Sequence, residues 1–124
     1  MTASFRETIK SGDHVYEVDY LDVDGAGYST GYKLIAIEHV VEKVTPTTVV
    51  LKTSRYGTVP ARHGLTKRVG RVTIGGRYQA TAREAWLAFI ATQQSEIAAR
   101  ERELARSKDR LETAYFELGK IVSP

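Results

Sequence analysis

The sequence predicts an α+β fold: a small antiparallel β-barrel or bent sheet over residues 1–80, then one long C-terminal α-helix over residues 81–119. Three observations carry this expectation. Short apolar runs, alternating or β-branched and separated by turn-forming residues, fill the first 80 positions. From Ala82 to Leu118 neither Gly nor Pro appears. And 124 residues supply one core of modest size.

In chain order, "DHVYEVDYL" (Asp13–Leu21) alternates, with Tyr16, Val18 and Tyr20 on one face. "DVDGAGYSTG" (Asp22–Gly31) is a loop by its turn formers. "YKLIAIEHVVEKV" (Tyr32–Val44) is a β-branched strand long enough to need a bend or bulge. Pro46 presets a turn, and "TVVLKT" (Thr48–Thr53) returns from it. Pro60 confines "YGTVPAR" to a sheet edge or strand end. "RVTIGGRYQA" (Arg71–Ala80) is the strongest hairpin signal, with Gly75 and Gly76 free to adopt positive φ. Five or six short strands in this span favour a Src-homology-type barrel, with Asp22–Gly31 as its long first loop.

The helix begins at a capping box, Thr81 as N-cap and Glu84 three residues on, and is expected to end at Gly119. At 1.5 Å per residue it is about 55 Å long, against about 35 Å for a compact domain of this size. Ala85, Trp86, Leu87, Phe89 and Ile90 are dense enough to seat its first turns. Beyond them Ile90, Ile97, Leu104, Leu111 and Leu118 recur every seventh residue. The companion heptad position holds Gln93, Arg100, Ser107 and Ala114, so the coiled-coil pattern is half filled; Ala91, Ala98 and Ala105 widen the stripe. Pairing as a homodimer, docking on another helix, or folding back over the sheet would each cover it; an unpaired, largely solvated helix is the remaining alternative.

Composition narrows the function classes. No apolar run of about 18 residues offers a membrane span, and "MTASFRETIK" lacks a signal peptide's apolar core. There is no cysteine, which excludes disulfides and thiolate metal sites and fits a cytoplasmic protein. Charge is segregated: residues 1–42 carry −5, residues 43–83 carry +9 and residues 84–124 carry −1. The middle third, Lys43 to Arg83, has six arginines, three lysines and no acid.

That block is the candidate binding site. Arg55, Arg62, His63, Lys67, Arg68, Arg71 and Arg77 would meet phosphates or carboxylates, and Tyr56 and Tyr78 would offer stacking faces. A nucleic acid or phosphate-bearing ligand and an acidic protein surface both fit. So does internal compensation by the acidic first third, which leaves +4.

Other motifs fail on chemistry. An EF-hand alignment of "DYLDVDGAG" would need oxygen ligands where Tyr20 and Gly31 stand. "GAGYSTG" precedes a strand, not the helix a phosphate loop requires, although Tyr28 and Tyr32 beside it could make contacts. His14, His39 and His63 show no ligand spacing, and no nucleophile, cofactor or metal motif stands out, so no enzyme is expected. Arg102, Arg106 and Arg110 form a basic stripe with Glu103 and Asp109 beside it, read as a solvated face.

"VEKVTPTTVVLKTSRYG", followed by "ATAREAW" opening a helix, resembles small bacteriophage-encoded accessory proteins that pair a tiny β-domain with a terminal helix. The resemblance implies an intracellular protein that acts by occupying another molecule, such as a host defence component. Two functions are therefore expected as alternatives. One is nucleic-acid binding on the basic strands with helix-mediated dimerisation; the other is a protein-binding inhibitor whose cationic face meets an acidic surface.

Overall fold

The computed structural model describes residues 4–22, 32–62 and 64–122. One helical turn, α1 (Phe5–Thr8), precedes β1 (His14–Asp22), β2 (Tyr32–Val44), β3 (Thr48–Tyr56), β4 (Val59–Pro60) and β5 (Thr66–Gly70). A 3-10 turn (Arg71–Thr73) follows, and α2 (Ala82–Val122) completes the chain. The class is α+β, as the patterning predicts.

The strands form one antiparallel sheet. β1, β2 and β3 are sequential neighbours, while β4 and β5 lie end to end along the far edge of β3. β5 pairs Thr48–Lys52, β4 pairs Arg55–Tyr56, and the Thr53 N–H donates to Leu65 O at 3.0 Å between them. Pro60, with no N–H to give, sits in the two-residue edge strand. The bulge expected in the long strand is present: the β2–β3 register shifts between Glu38 and His39 and again between Val41 and Lys43.

The sheet is open, which corrects the barrel expectation. An isolated antiparallel bridge joins Tyr16 of β1 to Gln79, with N–H···O bonds of 2.8 and 2.9 Å. One bridge is short of the strand that closure requires. The hairpin expected over Arg71–Ala80 is also not formed. Gly75 does take φ +87° in a tight turn, but its flanks are a 3-10 turn and single bridges. This segment instead crosses the sheet's inner face, where Ile74 and Tyr78 join Ile9, Val15, Val41, Val49 and Leu51 in the core.

The first turn of α2 is capped as predicted, the Glu84 N–H donating to Thr81 Oγ1 at 3.1 Å. Ala85 is buried; Trp86 and Phe89 are half-buried, with rings edge-to-face at 6.5 Å. The helix does not stop at Gly119 but runs on to Val122. Gly in a helix costs about 1 kcal/mol, too little to end it where no left-handed turn is formed. Residues Met1–Phe89 make one compact unit and Ile90–Pro124 a second, so this division falls inside α2. Among the described residues no helix is long and apolar enough to cross a membrane. The expected loop beyond Asp22, with Tyr28 in it, lies outside the described residues.

Candidate nucleic-acid interface

The middle third is sorted by strand alternation into two sets with different fates. On β5, Lys67 and Val69 pair with Leu51 and Val49 and so point to the core side; Thr66 and Arg68 point outward. On β3, Val50 and Lys52 are outward. The two bulges then add outward residues. The shift after Val41 sets Lys43 opposite Val50, and the shift at Ser54 sets Arg55 opposite Glu38. Rows therefore cross the outer face as Lys43–Val50–Arg68, Val40–Lys52–Thr66 and Tyr16–Glu38–Arg55.

Lys43, Lys52, Arg55 and Arg68 are all exposed, and among the described residues none has a carboxylate within ion-pair distance. Val40 and Val50 form a half-buried apolar floor between them. Glu38 is an acid on this same outer face, and it is already occupied: it accepts from Tyr16 Oη at 2.8 Å and Ser54 Oγ at 2.7 Å, with His14 Nδ1 at 3.5 Å. Partial burial opposes its ionisation, but those hydrogen bonds and the charges of His14 and Arg55 hold its carboxyl below the usual range. Glu42 stands exposed beside Lys43 in the bulge. Lys52's stem lies against Gly64, where an added Cβ would meet Lys52 Cε at 2.9 Å and Thr53 O at 2.7 Å.

Three of the candidate cations are spent inside the fold. Lys67 Nζ donates to Glu17 Oε1 at 2.7 Å and Arg77 Nε to Glu17 Oε2 at 2.7 Å; Arg77 Nη2 reaches Asp19 Oδ2 at 2.8 Å. Arg71 donates instead to backbone carbonyls, Nε to Arg6 O, Nη1 to Thr45 O and Nη2 to Glu7 O. It ties the N-terminal turn to the β2–β3 connection. Tyr78, expected as a stacking face, is 3% exposed in the core, and Tyr56 is half-buried beside Ile37 on the inward side. Arg62 is exposed after β4, and His63 lies outside the described residues.

Glu17 anchors a buried polar cluster that sequence reasoning missed. His39 Nε2 donates to Glu17 Oε1 at 2.8 Å, and Thr53 Oγ1 lies 3.0 Å from His39 Nδ1. A carboxylate only accepts, so Nε2 carries the proton facing it; in the neutral ring Nδ1 then accepts from the Thr53 hydroxyl. Burial pushes Glu17 towards protonation. Hydrogen bonds from His39, Lys67 and Arg77, with the Lys67 charge, outweigh that and hold the carboxyl far below the usual range. Tyr78 closes the cluster, its ring 5.9 Å from His39 and 5.0 Å from Lys67 Nζ. Hydroxyl, imidazole and carboxylate follow the order of a hydrolase triad, but all three side chains are 6% exposed or less, which leaves the hydroxyl no face for a substrate. The cluster's geometry is that of a satisfied structural network. Alternation gave no warning: it sets Tyr16, Val18 and Tyr20 on one face and Glu17 on the polar one, whereas the fold buries Val15 and Glu17 and leaves Tyr20 exposed.

Among the described residues no three His, Asp or Glu side chains gather as a metal site. On α2 the stripe residues Ile90, Ile97, Leu104, Leu111 and Leu118 are 48–56% exposed, and Tyr115, Phe116 and Ile121 more so. Comparison with protein-family models, with curated proteins and with solved structures finds no match.

Proposed function

We propose that this is a non-enzymatic cytoplasmic binding protein whose outer sheet face engages a phosphate-rich ligand, nucleic acid above all, and which pairs through the exposed stripe of α2. One observation carries the reading. Alternation and two bulges bring Lys43, Lys52, Arg55 and Arg68 onto one face with no ion-pair partner among the described residues, while the inward Lys67 and Arg77 are paired with Glu17 and Asp19. Such a face attracts phosphates by charge and releases their counterions, so binding is salt-sensitive.

The test is titration of the full chain with short single- and double-stranded DNA and RNA at two salt concentrations. Four phosphate contacts predict a slope of about −3 to −4 in log affinity against log salt on duplex DNA. Lys52→Glu with Arg68→Glu should cut the magnitude of that slope by about 2 and leave the thermal midpoint unchanged, since both side chains are exposed. Absence of binding by the unaltered protein at low salt overturns the reading.

A second reading rests on the same face. Its valine floor with a cationic rim, and the burial of Tyr78, fit an acidic protein surface better than a base-stacking ligand. In that case the chain acts as an inhibitor of the bacteriophage accessory type, and the double variant would weaken capture of the acidic partner with no nucleic-acid binding to lose.

A further inference from the structure

We infer that the exposed stripe of α2 pairs with a second copy of this chain in antiparallel register, centred between Ala105 and Arg106. The inference rests on the dimerisation part of the function proposed above and adds the orientation. Over residues 90–121 the stripe Ile90, Ile97, Leu104, Leu111, Leu118 occupies one heptad position, and each residue is about half exposed. A parallel, in-register pair would stack these against themselves and leave the other core position to like residues. Arg100 would then face the partner's Arg100 across the seam, two like charges in the least solvated place.

Reversing one helix removes that conflict, because each bulky stripe residue then meets the other heptad position. Centred at 105/106, Ile90 faces the partner's Ile121, Ile97 the partner's Ala114 and Leu104 the partner's Ser107, and Arg100 is opposed by the partner's Leu111. The flanking charges agree. Glu101 falls beside the partner's Lys108 and Glu103 beside the partner's Arg110, and the two-fold axis repeats both pairs. One mismatch remains, Glu96 beside the partner's Glu117. In parallel register one attractive pair, Glu103 with the partner's Lys108, is set against one repulsive pair, Glu96 with the partner's Glu101. Charge complementarity thus selects the antiparallel arrangement. It also overlaps the whole segment from Ile90 to Ile121 and holds the two Ile90 positions about 46 Å apart, at 1.5 Å per residue.

Glu101 and Lys108 provide the cleanest test, because among the described residues neither is ion-paired within its own helix. The two registers give Glu101→Lys opposite signs. Antiparallel pairing sets the new lysine against the partner's Lys108; parallel pairing sets it beside the partner's Glu96 and relieves a repulsion. Sedimentation equilibrium of the full chain at low salt should show a reversible dimer, weakened about three- to tenfold by Glu101→Lys. Adding Lys108→Glu should restore the dimer to within about twofold of the original, since both pairs re-form with reversed sign. A dimer tightened by Glu101→Lys overturns the antiparallel register. A chain that stays monomeric at all concentrations overturns the second copy as occupant, and phosphate binding, read separately by titration, would stand or fall by its own result.

Discussion

Glu17 occupies a core-side position on β1, although simple alternation sets it on the polar face. It is tolerable there because three donors reach it, Lys67 and Arg77 arriving from 50 and 60 residues away. Glu17→Gln removes the charge those cations were placed to meet and should cost about 2–4 kcal/mol in urea unfolding, reduced from a fully buried pair because the cations are half exposed. The same residue sets an acid dependence. Its folded carboxyl titrates below the unfolded value of about 4.3, so its stabilisation is complete above that value and is lost as pH falls, when the unfolded chain takes up a proton the native state refuses. The thermal midpoint should therefore drop with falling pH below about 4.5, and less steeply in Glu17→Gln. Equal pH dependence in the two proteins would remove Glu17 as the cause. Gly64 is constrained by approach alone: the added methyl of Gly64→Ala would sit 2.7 Å from Thr53 O. A loss of about 1–3 kcal/mol is expected, read as a lowered urea midpoint.

At the scale of elements, local chemistry set most boundaries. Alternation and β-branching gave β1, β2 and β3, and Thr81 opened α2 where the capping box placed it. Thr81→Ala leaves the Glu84 N–H without its acceptor and should cost about 1 kcal/mol. Trp86, the one tryptophan, lies in the capped turns and reports their unfolding by fluorescence; an unchanged midpoint would mean the cap contributes nothing. Two elements depart from the sequence expectation for the same reason. Gly75–Gly76 and Gly119 are permissive residues, and permission to turn is not an instruction to pair or to stop. Ile74 and Tyr78 were worth more in the core than in a hairpin, and the last turns of α2 had no capping contact to end them earlier.

For the whole molecule, the charge asymmetry is divided between structure and surface. Part of the acidic first third neutralises part of the basic middle third at Glu17 and Asp19, which is the internal compensation reading, while Lys43, Lys52, Arg55 and Arg68 gather on the outer face. This division changes which variants test ligand binding. Arg71→Glu would break three carbonyl contacts and report on folding, whereas Lys52→Glu with Arg68→Glu perturbs only the exposed face. The proposed salt slope would belong to that face and the proposed dimer constant to the helix, so the two proposals are tested apart.

By itself the sequence determined the fold class, the strand order along the chain, the start of the helix and the existence of an excess of positive charge. These follow from periodicity, capping and composition, all of which act within a few residues. Which cations are free was decided by tertiary structure. Alternation assigns a residue to a face only until a bulge shifts it, and the bulges at Glu42 and Ser54 turn Lys43 and Arg55 outward. The inward side of Lys67 and Arg77 was settled by Glu17, a partner that no local pattern could name, because burying a carboxylate demands donors from wherever the fold can supply them.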